Sequence, residues 1–132
     1  MSAPRRLRPE GLVRSPAFSH VAIVPPGATT IYVGGQNAVD NSGALIGDGD
    51  VAAQSVRALQ NVATALAAAG ASLRDVVQWT VLFVDGVDIA AGYAAIAGDL
   101  ATDEPGLITA ARVAGLGVPG ALVEISAVAA VV

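Results

Sequence analysis

The chain of 132 residues reads as an α+β domain: one mixed sheet with two helices packed on one of its faces. Three observations predict this. Short β-branched or aromatic runs recur along the chain and are punctuated by Gly, Pro and Asp turns. Two stretches, roughly residues 50–69 and 88–100, carry apolar side chains at helical spacing. The segment 73–84 between them is almost uninterruptedly apolar, as a strand buried on both faces would be. The resulting order is β-β-α-β-α-β-β.

Residues 1–14 are polar and irregular and read as an arm or edge strand. Ser-His-Val-Ala-Ile-Val at 19–24 is a short strand ended by Pro25-Pro26-Gly27, because two consecutive residues without an N–H break a ladder. Thr-Thr-Ile-Tyr-Val-Gly at 29–34 is a second strand, and the short connection predicts an antiparallel hairpin between the two. Asp40-Asn41-Ser42-Gly43 is turn chemistry. In the first helix Leu59, Val62 and Leu66, with Ser55 and Ala63, keep to one face, and Gln54, Arg57, Asn61 and Thr64 sit opposite. Asp48 or Asp50 caps its start and Gly70 suits its end. Trp79 and Phe83 share one face of the next strand and belong to the core. Asp88 caps the second helix, whose apolar positions are Ile89, Tyr93, Ile96 and Leu100. The chain closes with two strands, near 108–115 and 122–131, which read as a hairpin joined by a Gly/Pro turn. No composition shift divides the chain, so 1–132 is expected to be a single domain.

Composition narrows the function. The net charge is −4, and all seven basic residues are arginines, grouped only at Arg5, Arg6 and Arg8. A nucleic-acid footprint needs a basic face with stacking aromatics, so nucleic acid is not an expected partner. There is no cysteine and only one histidine, His20, which excludes thiolate chemistry and Cys metal sites and argues against a zinc site, so no metal is expected. No apolar run reaches membrane length and no leader pattern opens the chain, so the expectation is a cytoplasmic protein without a membrane partner. The sheet face away from the helices still carries many apolar residues and is the expected oligomer surface.

Several segments in order resemble one family. Ile31-Tyr32-Val33-Gly34-Gly35-Gln36 is similar to the strand that carries a Ser-Gly-Gln signature in the RidA (YjgF/YER057c/UK114) family. Residues 51–62 resemble that family's first helix, and 69–77 with Val81-Leu82-Phe83-Val84 its following turn and strand. Val113-Ala114-Gly115-Leu116 and residues 119–129 resemble its ending. The resemblance implies a chorismate-mutase-like fold and a homotrimer with small-molecule sites in the clefts between subunits. It further implies hydrolysis of 2-imino or 2-enamino acids to 2-oxo acids and ammonia, with no metal and no cofactor.

Carried over by motif, the family's last-strand glutamate falls on Glu124, where it acts on the attacking water. The signature glycine falls on Gly35, with Gly34 in the serine's place. A tyrosine near the first strand corresponds to Phe18, and an asparagine on the second helix to Tyr93. The arginine that holds the substrate carboxylate is replaced. Anchoring on Val113-Ala114-Gly115-Leu116 puts Ile108 in its place and Thr109 in the following Ser/Thr position, whereas anchoring on Pro105 puts Leu107 there. Arg112, at an even offset from Ile108, is a candidate substitute cation or a partner of Glu124, and Arg14 from a neighbouring subunit is another. An altered substrate follows, and so does a second reading: a diverged member that binds a metabolite or partner in the cleft without the chemistry. Some relatives are credited with translation inhibition or ribonuclease activity, which the acidic, aromatic-poor composition disfavours.

Overall fold

The computed structural model describes residues 3–132. Two strands near the start, β1 (Arg5–Leu7) and β2 (Val21–Ile23), form a small antiparallel ribbon. The main sheet contains β3 (Thr29–Gln36), β4 (Val76–Val84), β5 (Leu107–Val113) and β6 (Val123–Val131), in the spatial order β3-β6-β4-β5. Only the β4–β5 pair is parallel, so the sheet is mixed. Two helices, α1 (Val51–Ala68) and α2 (Ile89–Leu100), pack against each other and over one face. The α+β class is therefore as the sequence predicts.

Both expected hairpins are absent. The chain from β2 turns away at Pro25-Pro26-Gly27, and β3 takes its ladder from β6 instead of β2. Two prolines cannot donate, and an eight-residue strand gains more from a long central partner than from three residues of β2. At the other end, β4 inserts between β5 and β6. The link from Val113 to Val123 is long enough to cross over, and the most apolar strand takes an interior place where both edges are paired.

The alternation of each strand settles what it faces. Val33 on β3, Trp79, Val81 and Phe83 on β4, and Val123, Ile125, Ala127 and Ala129 on β6 are buried against Leu59, Val62, Leu66, Ile96 and Leu100 of the helices. Close approach between the layers is set by Gly92 of α2. A Cβ there would lie 2.7 Å from the Phe83 ring and 3.2 Å from Ser55 Oγ. Caps fix the helix lengths. The Asp50 carboxylate accepts from the Ala53 N–H, and that of Asp88 from the Ala91 N–H. Gly70, at φ 77°, ends α1, with the Gly70 N–H donating to Ala67 O and the Ala71 N–H to Leu66 O.

One side of α1 departs from expectation. Gln54 is fully buried instead of facing solvent, and Asn61 is half-buried. The Gln54 amide donates to the carbonyls of Gly47 (3.2 Å) and Gly120 (3.1 Å), and its oxygen accepts from the Leu122 N–H at 2.8 Å. Asn61 donates to the carbonyls of Asn37 and Val39, at 3.0 and 2.9 Å. These amides do for two irregular loops what a ladder does for strands: they give partners to the Gly120 and Val39 carbonyls and the Leu122 N–H, and a second donor to the Gly47 and Asn37 carbonyls.

Candidate functional site

The second face of the sheet has no layer over it within the protomer. It presents Thr30 and Tyr32 of β3, Glu124, Ser126 and Val128 of β6, Thr80, Leu82 and Val84 of β4, and Leu107, Thr109 and Ala111 of β5. Tyr32 is 79% exposed in mid-strand, which for a large ring is costly unless something covers it.

Glu124 is the single charged residue on this face. It stands opposite Leu82 of β4 and beside a bulge in β3, where the register slips between Val33, paired with Ala127, and Gln36, paired with Ile125. The extra residue comes from Gly34-Gly35. A Cβ on Gly35 would lie 2.5 Å from Glu124 Oε2, 2.6 Å from Cδ and 2.9 Å from Cγ, whereas one on Gly34 would touch nothing within 4 Å. Gly35 thus leaves the space in which the carboxylate lies. The Gln36 side-chain amide donates back to the Gly34 carbonyl at 3.2 Å and braces the bulge.

The strand under Glu124 is held from the helix side. The Asn37 amide donates to the Val123 carbonyl at 3.1 Å, and Gln54 Oε1 accepts from the Leu122 N–H. The backbone just ahead of the carboxylate is therefore tied by two buried side chains. Neither Asn37 nor Gln54 is evident from charge or motif. Gln54 does share the four-residue spacing of Ala58, Val62 and Leu66, and that spacing is the signal for its burial.

The remaining candidates are distributed more widely. Thr109 pairs with Thr80, on the Glu124 face and level with Ser126. Ile108 pairs with Trp79 and packs into the helix-side core, on the opposite face from Glu124. Leu107, the position given by anchoring on Pro105, pairs with the exposed Gln78 and shares the open face with Glu124. Arg112 pairs with Phe83 and reaches toward the Val87 carbonyl at 3.5 Å, too long for a strong bond. It lies on the helix side, so within one protomer it neither faces Glu124 nor substitutes at position 107.

Tyr93 is half-buried in the helix layer, where burial raises its pKa above the usual tyrosine value, and it too is on the far side of the sheet from Glu124. Phe18 packs edge-on against His20, with ring centres 5.4 Å apart. The neighbouring Ser19 N–H donates to the Gly106 carbonyl at 3.2 Å, which holds the residue after Phe18 beside the residue before Leu107. Arg14 is exposed on the arm. Leu107 is level with Val128, two strands over and four residues along from Glu124, a separation of about 16 Å. A small ligand that touches both positions has to take them from different protomers.

A concavity of about 800 Å³ lies elsewhere, between Arg6, Arg74, Asp99 and Asp103. It is open and ringed by charges of both signs, and none of the open-face residues lines it. A second, of about 390 Å³, lies between α1 and the 36–41 loop, where Arg57 Nε donates to Asn61 Oδ1. Asp40 on its rim is held below the usual carboxylate range by the Ser42 hydroxyl and by the Ala44 and Ser42 N–H groups. Among the described residues no group of three or more His, Asp or Glu is placed to hold a metal ion, and no helix is long and apolar enough to cross a membrane.

Comparison with known proteins agrees with this architecture. The model of the family described as "Endoribonuclease L-PSP" matches residues 13–131. A structure of a Rid-family protein of unknown function, YyfB from Yersinia pestis, is 30% identical, covers 98% of this chain and 100% of its own, and superimposes with a TM-score of 0.86. The YjgF product of E. coli is 32% identical over 80% of this chain and 83% of its own, with a TM-score of 0.67. RidA from the Antarctic bacterium Psychrobacter is 25% identical over 90% of this chain and 98% of its own, with a TM-score of 0.69. A search of curated proteins gave no match. The order of strands, the two-helix layer, the Gly35–Glu124 juxtaposition and these likenesses lead to one conclusion: the chain belongs to the RidA (YjgF/YER057c/UK114) family.

Proposed function

We propose that the protein is a cofactor-free hydrolase of reactive imines or enamines, working as a homotrimer with its sites between open sheet faces. The observation that carries this reading is the Glu124 carboxylate lying over the side-chain-free Gly35 on an otherwise uncharged face. Such a carboxylate can take a proton from water and return it to a leaving nitrogen.

The chemistry balances without a metal. As the water oxygen attacks the carbon of the protonated imine, one water proton passes to Glu124 and the C=N π pair becomes the lone pair of the amino nitrogen. Glu124 then gives that proton to the amino nitrogen of the carbinolamine. The C–N bond breaks as the hydroxyl returns its proton to the Glu124 carboxylate, giving a carbonyl product and ammonia, and Glu124 releases the proton to solvent. Backbone N–H groups of the Gly34-Gly35 bulge supply dipoles for the developing charge. Enclosure by a second protomer would cover Tyr32 and exclude water from the site.

A single experiment tests the reading. Imines are generated in situ by flavin amine oxidase or amino-acid oxidase, and their escape is measured by trapping with semicarbazide. Catalysis lowers semicarbazone yield in proportion to protein, and Glu124→Gln removes the effect. If no imine of either kind disappears faster with the protein than without it, the reading is wrong. A second reading is favoured by one observation, the leucine at position 107: a diverged member that binds a metabolite in the same cleft without turning it over. Ligand-induced thermal stabilisation with no loss of imine would identify it. Ribonuclease activity fits least, because the arginines do not gather on the open face, and intact RNA after incubation disposes of it.

A further inference from the structure

We infer that the cleft is selective for carboxylate-free substrates, neutral imines or cationic iminium ions, and that Leu107 is the residue that sets this preference. The inference rests on the proposed function and goes further by naming the substrate class.

The chain has seven basic residues besides His20, and all seven are placed. Arg5 and Arg6 lie in the β1–β2 ribbon, Arg8 and Arg14 on the arm, Arg57 on α1, Arg74 in the turn before β4, and Arg112 on the helix side of β5. None is on the open face. Ten of the eleven acidic residues lie outside the strands altogether, which leaves Glu124 as that face's single charge. The open face itself is therefore uncharged except for one carboxylate per protomer. An anionic substrate would enter a poorly solvated space with a like charge and no counter-ion, and burying an unpaired charge is costly. An iminium ion instead pairs with Glu124, and a neutral imine carries no such cost.

Position 107 fits the same logic. Leu107 opens the edge strand, faces the ligand side, and follows the Gly106 carbonyl that anchors the Phe18-Ser19 segment. Leu107 itself offers apolar surface where a carboxylate would need a bidentate donor, and the nearby Arg8 turns its Nε to the Phe18 carbonyl at 3.4 Å.

The test compares two imines of equal chain length made in situ: the imine of butylamine from an amine oxidase, and 2-iminobutanoate from an amino-acid oxidase. Wild type is expected to consume the first about tenfold or more faster than the second, relative to the uncatalysed rates. Leu107→Arg is expected to reverse the order, and Leu107→Gln, of similar size and uncharged, to keep it. A wild-type preference for 2-iminobutanoate overturns the inference while the proposed function stands, and its loss in Arg14→Ala would then trace the cation to the arm. Consumption of neither imine overturns both. Should Leu107→Arg fail to fold, the wild-type preference alone decides.

Discussion

The two faces of the main sheet are built from the same four strands and could hardly differ more. Toward the helices, Trp79, Val81, Phe83, Val123 and Ile125 are buried to within 2% of fully, and a single glycine, Gly92, is required so that Phe83 can fit. Away from the helices the same strands show threonines, small apolar residues, an exposed tyrosine and one carboxylate, and again a single glycine, Gly35, makes the room. In one case the space admits a ring and serves stability. In the other it admits a carboxylate, the group proposed to carry the chemistry. Substitutions on the two faces should therefore separate folding from function.

The largest effect on stability is expected at Phe83. Phe83→Ala removes a fully buried ring from the layer between β4 and α2 and should cost about 3–5 kcal/mol, measured by denaturant unfolding. Gln54→Ala comes next. It leaves the Gly120 carbonyl and the Leu122 N–H without their partner, while the Gly47 carbonyl keeps the Asp50 N–H, and a loss of about 2–3 kcal/mol is expected. Because Leu122 leads into the strand of Glu124, this variant should also blur the division between the faces by reducing turnover in molecules that remain folded.

Gly35→Ala tests the open face alone. The new Cβ collides with the Glu124 carboxylate, so turnover should fall on the order of 100-fold while the melting temperature changes little. Gly34→Ala, next door and unobstructed, should leave turnover nearly intact. Equal effects from the two would show that the bulge backbone matters and the space over Gly35 does not.

The sequence disclosed the helix-side face well. Helical spacing, the Asp50 and Asp88 caps, Gly70 and the alternation of β6 are local signals, and local geometry answers to them. Strand pairing is different. Whether β3 pairs with β2 or β6, and whether β4 separates β5 from β6, depends on which distant strand offers the longest buried ladder. No short segment carries that information. The same holds for the site. Glu124 stands out as a charge in an apolar strand, but motif spacing favours Ile108 at the neighbouring position and offers Leu107 only through the other anchoring. Strand parity puts the two on opposite faces, because a one-residue shift moves a side chain to the other face, and it is Leu107 that shares the face of Glu124. Arg112 was separated from Glu124 by the same parity.

Smaller effects probe the margins. The Ser55 hydroxyl is buried without a partner between α1 and α2, so Ser55→Ala should be neutral or stabilising by about 1 kcal/mol, the reverse of what a core truncation usually does. Asp40 organises the 40–44 turn, and its carboxyl is held below its ordinary value of 3.8. Its contribution is therefore fully present above pH 3.8 and is lost as pH falls through the lower folded value. Acid unfolding of Asp40→Asn should show a slightly shallower dependence on pH than wild type in that range. An unchanged dependence would assign the acid sensitivity to other carboxylates.

The central claim is that the open face is a catalytic surface organised around Glu124. Its most direct test is the rate of imine consumption by Glu124→Gln beside wild type, with melting temperature and particle mass measured on the same samples. The account predicts a loss on the order of 100-fold or more with fold and assembly preserved. Undiminished turnover in a folded, normally assembled Glu124→Gln protein would contradict it.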